Sequence, residues 1–157
     1  MFFRAWSAGD AGPAARLAAV HAVARVTLAL AFLWHGLVPK LLYRHADELA
    51  LLRDSGLSPS AAARMVTIVG VAEVAYGIAL LALWRMRALF LPAAVAMVVI
   101  TPGILVNSPR FIPAAFTPVT LNLCVAVLAA VGWIAAGARP AKHSPAETPR
   151  RGANPSP

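Results

Sequence analysis

Four stretches of this chain are long and apolar enough to cross a lipid bilayer, and that constrains its fold more than any other feature. They run from about Leu17 to Val38, Ala63 to Trp84, Ala88 to Val106 and Thr117 to Gly137, separated by charged residues, proline and glycine. A bilayer core needs about 20 mostly apolar residues per helix, and each run meets that length. With 60% hydrophobic residues, 13% charged residues and a mean hydropathy of +0.72, the chain has more apolar surface than one soluble core of this length can bury. The remaining solvent is lipid. The same composition excludes a disordered protein, and the single cysteine, Cys124, excludes a disulfide framework.

The expected fold class is therefore all-α: a transmembrane four-helix bundle. The first run is too long for a signal-peptide core and no small-x-small cleavage site follows it, so it reads as a retained span. Ser58-Pro59 and Thr117-Pro118 both place a capping hydroxyl before a first-turn proline. In the third run Pro92 precedes Pro102-Gly103, which predicts a kink or break near its far end. Between the first two spans, Arg44 to Gly56 is too polar and too short to cross. Its leucines among acidic and basic residues predict a short amphipathic interfacial helix ended by Gly56. Residues 1–16 form an N-terminal cytoplasmic segment, 17–137 the membrane domain, and 138–157, with five of the 13 prolines, a disordered basic tail.

The net charge of +8 is distributed in a way that turns it into an orientation signal. Arg4, Arg16, Arg85, Arg87, Arg139, Lys142, Arg150 and Arg151 fall on one side; Lys40, Arg44, Arg53, Arg64 and Arg110 fall on the other. The larger group places both termini in the cytoplasm, the expected location being a bacterial inner membrane or a plasma membrane. Charge spread over helix ends and a tail does not build a nucleic-acid surface.

Two charged residues lie deep in the spans. Arg25 sits about 12 Å and Glu73 about 16 Å from the same side at 1.5 Å per residue. A charge at the bilayer centre costs at least about 2.5–3.5 kcal/mol, so the pair Arg25–Glu73 is the expected intramembrane ion pair, structural or involved in proton or ligand handling. Gly70 and Gly77, on nearly the same face as Glu73, predict close approach of another helix. A second polar group collects towards the outer leaflet: His35 beside Trp34, then Lys40, with Asn107 and Asn122 from later spans. Lys40 is expected to snorkel to the headgroups. His35 is either a hydrogen-bonded structural histidine or a donor to a quinone carbonyl, and Asn122 is expected to bridge to a neighbouring helix. The candidate ligand or polar site is thus Trp34, His35, Lys40 and Asn122. Cys124 reads as a buried small hydrophobe. The spacing of His21 and His35 would suit two stacked haems only if a dimer supplied the other ligands. No metal-ligand motif or self-sufficient catalytic set is recognisable.

Arg25 to Leu42 (RVTLALAFLWHGLVPKLL), DEL at Asp47 to Leu49, GLS at Gly56 to Ser58, VGVAEVAYGIALL at Val69 to Leu81 and PAAFTPVTLNL at Pro113 to Leu123 together resemble the DoxX-like family of small four-span membrane proteins. The resemblance implies a four-helix membrane bundle and draws attention to Arg25, Trp34, His35, Gly36, Pro39, Lys40, Glu73 and Asn122. Functionally it implies membrane redox complexes, the family's name coming from a subunit of a thiosulfate:quinone oxidoreductase. It also implies association with NAD-dependent epimerase-like dehydrogenase domains. The resulting expectation is a non-catalytic subunit or anchor in the lipid bilayer, with quinone or lipid as ligand, an oxidoreductase as partner and a homo-oligomer as a further assembly. The alternatives are a quinone-linked oxidoreductase component in which Glu73 or His35 relays protons, and a small-solute transporter.

Overall fold

A computed structural model describes residues 12–114 and 117–137, and it is helical throughout its long elements. In chain order these are α1 (Pro13–His35), a π-helical segment (Gly36–Leu42), α2 (Ala46–Asp54), α3 (Pro59–Ala82), α4 (Phe90–Asn107) and α5 (Pro118–Gly137). Short 3₁₀ turns at Arg87–Leu89 and Pro109–Phe111 flank α4. α1 with its π-helical extension, α3, α4 and α5 are the four candidate spans of a multi-pass membrane protein. α2 is the short helix between the first two. The tail expected over 138–157 and the first eleven residues lie outside the described residues.

The caps follow the sequence. Ser58 Oγ accepts from the backbone N–H of Ala61 at 3.4 Å and starts α3, and Thr117 Oγ1 accepts from Val119 N–H at 3.2 Å to start α5. α2 ends where Gly56 adopts φ 92°, a left-handed conformation that favours glycine. Pro102 lies inside α4, and the helix runs through it to Asn107 without the expected break. Proline removes one backbone bond, and the rest of the turn carries the helix on.

Proline acts differently at position 39. An ordinary α-turn would drive its ring into the carbonyl of His35, four residues back. Here the backbone widens to i→i+5 bonding, as in Tyr43 N–H donating to the Val38 carbonyl at 3.0 Å. The first span thereby continues to Leu42.

α1 is central. It packs on α3 along one face and on α5 along another, and α4 packs on α5. The α1–α3 seam is glycine-dependent, as expected from Gly70 and Gly77. A Cβ at Gly36 would lie 2.6 Å from the Gly70 carbonyl oxygen, and one at Gly77 would lie 2.7 Å from Leu33 Cγ. Because the obstacle at Gly36 is backbone, it cannot move aside. Gly36→Ala is expected to lower stability by about 1–3 kcal/mol, whereas Gly103→Ala, with nothing within 4 Å of its Cβ, should hold or gain stability. Thermal aggregation of the two variants in detergent, followed by size-exclusion chromatography, checks the contrast.

The apolar core of Leu28, Ala29, Leu80, Phe90, Ala93, Val125 and Ala129 occupies the end where α1 begins and α5 finishes. Gly132 gives the Phe90 ring its room. The wide exposed faces of α3, α4 and α5, including Val98, Val99 and Ile134, are those a bilayer would cover. Cys124 lies on such a face of α5, exposed rather than buried as expected.

Candidate functional site

The two charged residues expected to pair with each other are satisfied separately. Arg25 is fully buried near the core end, where its guanidinium donates to three carbonyls around the C-terminus of α3. Nε reaches Leu80 O at 2.5 Å, Nη2 reaches Leu83 O at 2.5 Å and Nη1 reaches Met86 O at 3.2 Å. The last carbonyls of a helix have no partner in the helix itself and carry its negative dipole end, so a buried guanidinium neutralises both. The rings of Trp84 and Phe90 lie 5.6 Å and 5.5 Å from its central carbon. His21 is packed edge-on against the same two rings.

Glu73 belongs to the opposite end. Its Oε2 is 3.0 Å from Lys40 Nζ, and Lys40 also contacts Glu48 Oε1 of α2 at 3.3 Å. The geometry follows from the glycine seam. Gly36 faces Gly70 and Glu73 while Leu33 faces Gly77, so the part of α1 opposite Glu73 is the turn of His35 and Gly36. Arg25 lies ten residues earlier, about 15 Å along the axis. Lys40 does not snorkel outward as expected: it is buried. It stands one helical turn beyond Gly36 on the α3-facing stripe, and the π-helical segment keeps the span going far enough to hold it there.

The Glu48–Lys40–Glu73 triad forms one polar wall of a cavity of about 430 Å³. The α3–α4 side of the bundle is bridged by α2, which contacts both helices, and the cavity lies there. Apolar side chains of every helix make most of its surface, among them Phe32, Leu51, Val66, Met97, Ile104 and Val125. Val99, 69% exposed, lies on its rim, so the mouth faces outward between the helices. The polar lining adds His35, Ser55, Ser108 and Asn122.

Of the sequence candidates, His35, Lys40, Asn122 and Glu73 therefore share one cavity. Trp34, 65% exposed, and Asn107, also exposed, are outside its lining, and Arg25 is at the other end. Asn122 Nδ2 donates to Thr101 Oγ1 at 3.2 Å, the interhelical bridge expected of it. Among the described residues no group of three or more potential ligands could hold a metal.

Glu48 and Asp54 were not legible as site residues, because acidic residues on an amphipathic connector usually face water. Here they fasten α2 over the cavity. Glu48 reaches Lys40, while Asp54 Oδ2 accepts from Ser108 Oγ at 2.7 Å and pairs with Arg110 Nη2 at 2.7 Å. No residue of α2 is fully buried, so these polar contacts carry much of its attachment. Asp54→Ala is expected to accelerate amide exchange across residues 46–54 at least about tenfold while changing bundle stability by less than about 1 kcal/mol. Hydrogen exchange with mass spectrometry reads the first quantity and heated size-exclusion the second.

The sequence model of the DoxX-like family matches residues 29–130. The match contains every residue lining the cavity and leaves Arg25 outside. No curated protein and no solved structure matches the chain.

Proposed function

This chain belongs to the DoxX-like family, and we propose that it is a non-catalytic membrane subunit whose bundle holds a small amphipathic molecule, a quinone or a lipid, beside a redox partner. The cavity is the observation that carries this reading. At about 430 Å³ it has the size of a small-molecule site, a mostly apolar lining and a few convergent polar groups at one wall. Its lateral mouth gives a molecule dissolved in the bilayer a route in. Lys40 spends its charge on two carboxylates but carries three N–H donors, and His35 adds a further polar atom for a carbonyl oxygen. The partner reading, an NAD-dependent epimerase-like dehydrogenase or another oxidoreductase, is supported by the family resemblance.

Positive charge supports both termini in the cytoplasm, which would set α2 and the cavity towards the outer leaflet. A reporter fused after residue 157 that is active only in the cytoplasm tests that placement.

An azido-quinone photolabel in native membranes tests the ligand. Labelling is expected within residues 66–73 and 97–104 and is expected to be lost in Gly103→Phe, which fills the cavity from a position with open space around its Cβ. Cross-linked capture followed by mass spectrometry tests the partner: recovery of an oxidoreductase supports the reading. Labelling confined to the outer helix faces, or unchanged in Gly103→Phe, would sink the ligand reading.

A further inference from the structure

The charge count of the cavity wall goes further than its size. Its ionisable side chains are His35, Lys40, Glu48 and Glu73. With a neutral imidazole and both acids ionised, one ammonium faces two carboxylates, an excess of one negative charge in a site built mainly of hydrocarbon. The nearby pair Asp54–Arg110 is internally balanced, and His45 and Asp47 are exposed. Arg44 and Arg64 are exposed and line a separate shallow groove. The excess has a definite location in hydrogen-bonding terms. Glu73 Oε2 is buried, and its one polar contact among the described residues is Lys40 Nζ at 3.0 Å, a cation that it shares with Glu48.

A buried carboxylate oxygen is costly without a donor, and buried charge is costly without its opposite. A quinone carbonyl would accept from Lys40 and leave the excess charge in place, whereas the reduced quinol form donates through its hydroxyl groups. A carboxylate or phosphate head would add a third negative charge around one ammonium. A hydroxyl supplies a further donor to the Glu73 carboxylate, and a protonated amine supplies that donor and cancels the excess charge at once, with the stronger charge-assisted bond.

Resting on the cavity as a ligand site, we propose that it selects apolar molecules with a hydrogen-bond-donating head that carries no negative charge, a protonated amine ahead of a hydroxyl. The apolar body lies among Phe32, Val66, Met97 and Ile104, and the head donates to Glu73.

The test uses the purified full chain in detergent and a dodecyl-diazirine photoprobe, displaced by dodecylamine, dodecanol or dodecanoate and mapped by peptide mass spectrometry. Half-displacement by the amine is expected at about tenfold lower concentration than by the alcohol, with the carboxylate weakest. Glu73→Gln should remove the amine's advantage. Glu48→Gln, a change on α2 that also neutralises the excess charge, should shrink it and serves where Glu73→Gln does not fold. Photolabel absent from the cavity, or insensitive to Gly103→Phe, overturns the ligand site itself. Labelling in the cavity with the three heads equal, or with dodecanoate preferred, leaves that site standing and overturns the head-group selectivity alone.

Discussion

Arg25→Leu is expected to destabilise the bundle by about 3–5 kcal/mol, because the buried Leu80 carbonyl loses its side-chain donor and the two carbonyls of the following turn lose theirs. Leucine ends where the arginine side chain has three more bonds to run, so the space left by the fully buried guanidinium adds to the lost hydrogen bonds. Arg25→Lys keeps the charge yet replaces a planar fork spanning three acceptors by a single ammonium, and about half of the loss is expected to remain. Heated size-exclusion chromatography is the suitable readout. A thiol-reactive dye would find Cys124 on the folded surface of α5. The decisive comparison is a double-mutant cycle with Glu73→Gln. An Arg25–Glu73 ion pair would give strong coupling; separation by about 15 Å along the axis predicts coupling below about 0.5 kcal/mol.

Lys40→Met is the second large effect. It leaves Glu48 and Glu73 beside each other with their shared cation gone, and removing one partner from a buried ionic group costs about 3–5 kcal/mol. Because part of that cost is the repulsion and desolvation of Glu73, adding Glu73→Gln should recover about 1–3 kcal/mol. A Lys40→Met variant as stable as the parent, or one made worse by Glu73→Gln, would show that the triad does not hold α1, α2 and α3 together. The same variant also separates the two ends of the molecule. Its losses should add to those of Arg25→Leu, since no residue is shared between the guanidinium cap and the triad.

The contrast between the two ends shows how far the sequence could be read. Arg25 and Glu73 stood out at once, since a charge in an apolar run demands a partner. Their depths, measured from the ends of the hydrophobic runs, made them look matched. Antiparallel helices do not align by the ends of their apolar runs, however; they slide until their small residues meet. Gly36 against Gly70 and Gly77 against Leu33 fix that register, and it brings Lys40 rather than Arg25 to Glu73. Lys40 itself looked like a residue for the headgroups because proline precedes it, and the proline is accommodated by a wider turn that prolongs the span. Asn122, by contrast, makes the interhelical bridge that its place in an apolar helix implies, because a polar amide there has few other choices. Glu48, Asp54 and Ser108 gave no signal, as their role depends on where a connector lies over a gap between helices far apart in sequence.

By itself the sequence determined most of what local hydropathy and local backbone chemistry set, though not how the backbone accommodates Pro39 and Pro102. That includes four spans, a short polar-apolar helix between the first two, hydroxyl caps before proline at α3 and α5, and the glycine that ends α2. The tertiary structure alone decided which buried charges meet, where the cavity lies and what roofs it. The physical reason is that hydrophobicity requires each helix to be in the membrane without specifying its axial register, whereas steric contact at a few glycines does specify it. Once that register is set, an arginine becomes a helix cap and a lysine becomes the hinge of a charged cavity.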